Sequence, residues 1–357
     1  MSRDDCQMTN VEFKKLGDVL EICNGHDYKN FDAGDVPVYG SGGIMTRIDT
    51  AIYDKPSVLI PRKGSLKNLF YVEEPFWTVD TIFYTKINPQ IAIPRFVYFC
   101  LQKEHLEDLN QAGGVPSLTK SVLNEVRIPI PPIEVQRKIV QILDRFTELI
   151  SLLKSELIPR KKQFEYYRDQ LLSFGSDVEF KKLSEIATID IGEFVRQDRQ
   201  GDNKPYPVFN GGRTFTGKYD EFNRDGNYIL ISARGVNAGF VNCFIGKYWA
   251  GNSCYSINVD QKIIDFRFAY HFLKSYERDL LDQQQKGGIP AISKTQVSEI
   301  EIPIPPIETQ KKIVATLDRF DKLCNDLTYG IPAEIQARQK QYEFYRDKLL
   351  TFKEEVE

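Results

Sequence analysis

Ile128-Pro-Ile-Pro-Pro-Ile-Glu134 recurs letter for letter as Ile302-Pro-Ile-Pro-Pro-Ile-Glu308 in a chain of 357 residues. Each copy leads into Gln-x-Lys-Ile-Val and then Leu-Asp-Arg-Phe, at Leu143 to Phe146 and Leu317 to Phe320. Further on, Gln163-Phe-Glu-Tyr-Tyr-Arg-Asp-Gln-Leu-Leu-Ser-Phe174 is echoed by Gln341-Tyr-Glu-Phe-Tyr-Arg-Asp-Lys-Leu-Leu-Thr-Phe352. Upstream, Val11-Glu-Phe-Lys-Lys-Leu16 returns as Val178 to Leu183. Pro37-Val-Tyr-Gly-Ser-Gly-Gly43 returns loosely in Pro207-Val-Phe-Asn-Gly-Gly212. Val58 to Gly64 returns as Ile229 to Gly235, and Gly113-Gly-Val-Pro-Ser-Leu-Thr119 as Gly287-Gly-Ile-Pro-Ala-Ile-Ser293. The landmarks keep their order, so one large unit has been duplicated in tandem.

After each Pro-Pro pair the pattern changes to helical. Val135, Ile139, Ile142, Phe146, Leu149 and Leu153 alternate steps of four and three, the heptad signature of a coiled-coil seam. Ile313, Thr316, Phe320, Leu323 and Leu327 follow the same spacing. Pro159 and Pro332 predict a kink or break, because proline removes a helix hydrogen bond. The second copy holds four extra residues between its matched blocks, about one turn, which a local stutter could absorb. Ahead of each helical stretch lie short β-rich runs broken by Gly, Pro, Asn and Asp: Ser57 to Ile60, Thr81 to Thr85, Tyr228 to Ser232, Tyr255 to Val259. One helix is predicted in each globular part, over Arg95 to Leu109 and Phe266 to Gln285.

The expected fold is mixed α/β, with an internal pseudo-two-fold repeat. Residues 1–131 and 176–305 form two similar globular domains. Residues 132–175 and 306–357 form two long helices that pair as an antiparallel coiled coil. A chain running domain, helix, domain, helix brings its helices side by side only in antiparallel fashion.

Composition narrows the function. A net charge of -3 argues mildly against an obligate nucleic-acid binder, although phosphate binding depends on local placement of Lys and Arg. The six cysteines are scattered without a C-x-x-C pair, which fits reduced thiols in a reducing cytosol better than disulfides or zinc. No apolar h-region or membrane-length run is present, so a cytoplasmic location is expected. There is no P-loop, and Asn203-Lys-Pro-Tyr206 is a poor match to an aminomethyl-transfer motif. Asp177 and Glu179, with Lys181, loosely resemble a metal-dependent nuclease strand. The same block also suits an amphipathic entry segment with Val178, Phe180 and Leu183 inward.

The Gly-rich loops gather cations and hydrogen-bonding side chains. In the first repeat these are Lys29, Tyr39, Ser41, Thr46, Arg47, Arg62, Lys63, Ser65, Lys67 and Asn68. In the second they are Arg196, Gln197, Arg199, Asn210, Arg213, Thr214, Lys218, Arg234, Asn237 and Asn252. Such groups neutralise phosphates and hydrogen-bond base edges, which makes them candidate DNA contacts. The helical blocks agree closely between repeats while the globular parts agree mainly at landmarks. That is the pattern of a fixed frame carrying two different contact regions.

At Ile128 to Gln136, Lys162 to Leu172, their copies, and the Gly-Gly-x-Pro loops, the chain resembles the DNA-specificity subunit of type I restriction-modification systems, over essentially its whole length. The resemblance implies two target-recognition domains, each binding half of a bipartite DNA site, and spacer helices that hold two methylation subunits. It implies restriction subunits as further partners, and no catalysis by the chain itself. No cofactor is expected here; S-adenosylmethionine would belong to the methylation partner, ATP and Mg to the restriction partner. Tyr166, Tyr167, Arg168, Asp169, Phe344, Tyr345, Arg346 and Asp347 become candidates for the methylation-subunit interface. Packing between helix ends is the other role open to them. A stand-alone site-specific nuclease and a helical scaffold without a DNA role are the alternatives.

Overall fold

The computed structural model describes residues 10–110, 114–284, 288–326 and 329–354. Cys6, Gly113, Gly287 and the predicted seam residue Leu327 lie outside them. The chain forms two compact units. The first comprises Met1–Lys154 with Glu334–Glu357, the second Ser155–Ala333. Each unit therefore draws helical segments from both repeats.

In the first unit, four antiparallel strands stand in the order Leu20–Asn24, Ile82–Ile87, Ser57–Pro61 and Phe70–Val72. A separate three-stranded sheet joins Gly43–Ile48, Ala33–Gly40 and Trp77–Thr78. The second unit builds one six-stranded sheet, ordered Ala187–Ile191, Cys254–Val259, Arg224–Ser232, Val241–Ala250, Tyr206–Phe209, Gly217–Tyr219. The difference falls at two prolines, Pro75 and, on the opposing strand, Pro56. In the second unit Val241–Ala250 runs unbroken and serves both halves of the sheet. In the first, the equivalent segment holds Glu73-Glu-Pro75, and proline cannot donate to a ladder. The strand splits there, and so does the sheet.

One amphipathic helix backs the four-stranded sheet of the first unit, at Pro94–Lys103, and another the six-stranded sheet of the second, at Phe266–Ser275. The first starts on a proline, which needs no N–H partner there. The second is capped by Asp265, whose side chain accepts from Arg267 N and Phe268 N. Both are shorter than the predicted spans. The first gives way to a 3-10 turn at Leu106–Leu109, the second to a separate helix at Glu277–Asp282. Phe180 is exposed, contrary to the inward placement expected of it. It shares a strand face with Lys182, and the period changes at Leu183, where a short helix starts and burial begins.

The helix Ile133–Leu171 runs through Pro159 without a break. One missing hydrogen bond is tolerated in a 39-residue helix whose neighbouring turns stay intact. The second copy is broken instead, into Ile307–Asn325 and Ile331–Leu349. An interruption between Asn325 and Ile331 thus stands in place of the expected stutter. Pro332 falls in the first turn of the later helix, where its absent N–H has no intrahelical role. The buried stripe also differs from the predicted seam. Gln136, Ile139, Leu143 and Ile150 are buried, and so are their equivalents Gln310, Ile313, Leu317 and Cys324. Leu149 and Leu323 are exposed. The stripe rotates because each helix start docks on the core of a globular part as well as on another helix.

Those dockings are the same in both units. Phe146 stacks on Tyr345 at 5.4 Å in the first unit. Phe320 stacks on Tyr167 at 5.6 Å and on Phe164 at 6.3 Å in the second. The Phe of each Leu-Asp-Arg-Phe block thus meets the tyrosine-rich block of the other repeat.

Candidate nucleic-acid interface

Three loops converge in each unit. In the first, Ser41-Gly42 turns between two strands of a hairpin. The loop after Ser57–Pro61 lies against it, with Asn68 Nδ2 donating to Ser41 O at 3.0 Å. The Gly-Gly-x-Pro loop is sewn to that loop from the other side. Gly64 N donates to Pro116 O at 3.0 Å and Leu118 N to Arg62 O at 2.9 Å. Gly64 has φ +83°, which a side chain would strain.

The second unit repeats this construction. Gly235 N donates to Pro290 O and Ile292 N to Ala233 O, each at 2.9 Å. Gly235 has φ +94°. The Asn210-Gly-Gly-Arg213 turn is fastened by Asn237 Nδ2 on Gly211 O at 3.3 Å, Ser232 Oγ on Gly212 O at 3.3 Å and Asn242 Nδ2 on Arg213 O at 3.4 Å. A Cβ on Gly211 would sit 2.4 Å from Arg234 O, so only glycine allows this approach.

The predicted contact residues separate into groups on this platform. Ser41, Arg62, Lys63, Asn68, Arg213, Thr214, Arg234 and Asn237 belong to the converging loops. Lys63 and Arg234 are exposed and make no ion pair among the described residues. Arg62 Nη1 donates to Asp80 O at 3.3 Å, and Arg213 lies over the Phe240 ring. Asn210 and Asn237 are engaged in holding loops, Asn210 Oδ1 accepting from Ser253 N at 2.9 Å. Other side chains are already partnered. Lys29 bonds within its own turn to Asp27, and Lys67 pairs with Glu107 at 3.8 Å. Arg196 pairs with Asp198 at 3.0 Å, on the turn that also carries Gln197 and Arg199. Arg47 donates to Asp35 O at 2.6 Å across its hairpin. Tyr39 packs on Phe70 and Phe76 beneath the platform, and burial raises its hydroxyl pKa.

Of the helix-end candidates, Tyr167 and Tyr345 carry the ring stacks described above. Arg168 and Arg346 lie along Asp169 and Asp347, each at 2.9 Å. Tyr166 and Phe344 stand out at 62% and 61% exposure, at equivalent positions of the two repeats. Asp177 and Glu179 are both exposed, and Glu179 pairs with Lys181 at 3.5 Å. No group of three or more His, Cys, Asp or Glu side chains among the described residues is placed to hold a metal. Cys23, Cys100, Cys243, Cys254 and Cys324 are free thiols, and burial pushes the Cys254 thiol up to about 12. No helix among the described residues is long and apolar enough to cross a membrane.

Sequence reading missed the residues that hold each platform to its helix. Gln136 is fully buried; its Oε1 accepts from Ile93 N at 2.9 Å, and its Nε2 donates to Ile91 O at 3.0 Å and Pro131 O at 2.9 Å. Gln310 makes the same three bonds, to Asp265 N at 2.7 Å, Ile263 O at 3.3 Å and Pro305 O at 2.8 Å. Arg95 meets Asp144 at 2.7 Å, flanked by the rings of Tyr71, Tyr98 and Phe99. Arg267 meets Asp318 at 2.6 Å, and buried His271 joins that carboxylate at 2.7 Å. Burial works to raise the Asp318 pKa, but the hydrogen bonds from His271 and Arg267 outweigh it and hold the carboxyl at about 2. The available signal was a Gln and an Asp repeated inside otherwise apolar helical stripes.

A sequence model described as Type I restriction modification DNA specificity domain matches residues 8–159 and again 175–337. The chain belongs to that family. Among type I specificity proteins, S.HindORF215P of Haemophilus influenzae, named as a restriction enzyme specificity subunit, is 30% identical over 96% of both chains. The Escherichia coli EcoR124I/EcoR124II specificity subunit is 33% identical over 64% of both. The crystal structure of the S subunit of a Mycoplasma genitalium type I restriction-modification system shares the fold, with TM-score 0.71 at 18% identity over 96% of this chain and 97% of that one. The chain is thus a type I restriction-modification specificity subunit in its descent as well as its architecture.

Proposed function

We propose that this specificity subunit reads an asymmetric bipartite DNA target, one half with the loops of each unit, and performs no chemistry itself. The duplicated platform carries the proposal. Its backbone bonds are the same in both units, while its outer positions differ, with Arg62 answering to Ala233 and Gly43 to Arg213. A shared frame with unlike side chains suits two unlike half-sites. The reciprocal stacks Phe146–Tyr345 and Phe320–Tyr167 support a pairing, inside each unit, of a helical segment of one repeat with a helical segment of the other.

Exposed Tyr166 and Phe344, at matching places, suit two copies of one partner, a methylation subunit that supplies S-adenosylmethionine and modifies adenine. Restriction subunits, with ATP and Mg, would complete a cleaving complex in the cytoplasm. Sequencing that records methylated adenines in cells making the chain and its methylation partner tests this. The expected result is one motif with two different halves around a fixed gap. Methylation by the purified chain alone, or a contiguous motif, would contradict it.

A further inference from the structure

Val115 and Ile289 occupy the same position in the two Gly-Gly-x-Pro loops, and they are 70% and 77% exposed. An exposed aliphatic side chain repeated in both units is not explained by a core. Each stands beside an exposed cation at a repeated position. Lys63 bridges to Ser117, two residues from Val115, and Arg234 bridges to Ala291, two residues from Ile289. The glycines before them, Gly114 and Gly288, have φ outside the left-handed range, and an added Cβ would meet nothing within 4 Å. Among the described residues, no packing demands glycine there. A glycine in open space, repeated, leaves room for the close approach of another molecule.

We propose that Val115 with Lys63, and Ile289 with Arg234, form in each unit an anchor that grips DNA whatever its base sequence. The cation sits on a phosphate, and the aliphatic side chain packs on sugar and base edges in the adjoining groove. This rests on the DNA-reading function proposed above and goes beyond it, because it divides the platform. Positions that differ between units, such as Arg62 and Arg213, read bases. Positions that are alike serve what every duplex shares, its phosphates and stacked apolar faces. The two classes of side chain stand on loops fastened together, by backbone bonds at Arg62 and by the side chains of Ser232, Asn237 and Asn242 at Arg213, so anchoring one orients the other.

The test uses the full chain assembled with its methylation partner, titrated by fluorescence anisotropy. One duplex carries the mapped target and the other a scrambled half-site, both over a series of salt concentrations. The double variant Val115→Ser with Ile289→Ser is expected to weaken both duplexes by the same factor, about tenfold per site. Lys63→Gln and Arg234→Gln should each lower the salt slope by about one. Gly288→Ala, which the chain itself accommodates, should weaken both duplexes as well. A changed ratio between the duplexes would make these residues base readers and overturn the anchor. So would intact DNA binding with weakened assembly, which would assign the loops to a protein contact. An unaltered complex with no preference for the mapped target would instead refute the reading function beneath it.

Discussion

The two units share their joints and differ in their faces. Gln136 and Gln310 clamp the same backbone groups, and Arg95–Asp144 and Arg267–Asp318 span the same gap between domain and helix. The main sheets diverge, a six-stranded one in the second unit against a four-stranded and a three-stranded one in the first, where Pro56 and Pro75 interrupt the ladder. The outer loop positions diverge further. Joints resist change because a buried polar group that loses its partner is costly, whereas an exposed loop residue is held by nothing behind it. Where the joints do differ, the difference is additive: His271 joins Asp318 in the second unit, while the first has Phe99 in its place.

The largest expected effect comes from removing the clamps. Gln136→Leu or Gln310→Leu strands one buried and two part-buried backbone groups, costing about 2–4 kcal/mol in the unit concerned. Denaturant unfolding, with hydrogen exchange to locate the loss, should show equal effects of the two. A marked inequality would break the equivalence of the joints.

Asp318→Ala should cost about 1–2 kcal/mol more than Asp144→Ala, since it leaves buried His271 without a carboxylate and Arg267 with only the longer pair to Asp321 at 3.7 Å. The same pair sharpens the contrast in acid. The folded-state pKa of Asp318 is depressed to about 2, so its contribution is complete above the ordinary carboxylate range and is lost as pH falls from about 4 toward 2. Local exchange in the second unit, followed down that range, should rise in the native chain and stay level in Asp318→Ala.

Pro159→Ala should stabilise the long helix by about 1–3 kcal/mol, by restoring one hydrogen bond in an intact stretch. Thermal melting measures it, and a loss of stability would mean that the proline is built into the packing. The smallest effect is expected from Pro75→Thr. It returns a ladder donor and should raise exchange protection at Glu73 and Glu74 while changing stability by under about 1 kcal/mol. If protection does not move, Pro75 is not what splits the sheet.

Much of this organisation was legible in the sequence. Repeated blocks located both helical regions and both Gly-rich platforms, and β-rich runs located most central strands. The helical stripe was misplaced by one position, Ile142 and Leu149 for Leu143 and Ile150. Spacing alone assumes that a helix buries one seam, while these helix starts also bury a glutamine against a domain. Pro159 predicts a kink or break because local chemistry forbids it a bond, yet the turns on either side keep the helix unbroken. The loop cations and hydrogen-bonding side chains were legible as a set, and their contact with DNA is the proposal made above. Which of them are free and which hold loops, as Asn210 and Asn237 do, depends on neighbours more than twenty residues away.

The division of the DNA site between the units is tested most directly by mapping methylated adenines with Arg62→Ala and, separately, Arg213→Ala, each in the full chain with its methylation partner. One half of the motif should relax with Arg62→Ala and the other half with Arg213→Ala, the gap between them staying fixed. Relaxation of both halves by either single change, or a change in the gap, would contradict the account.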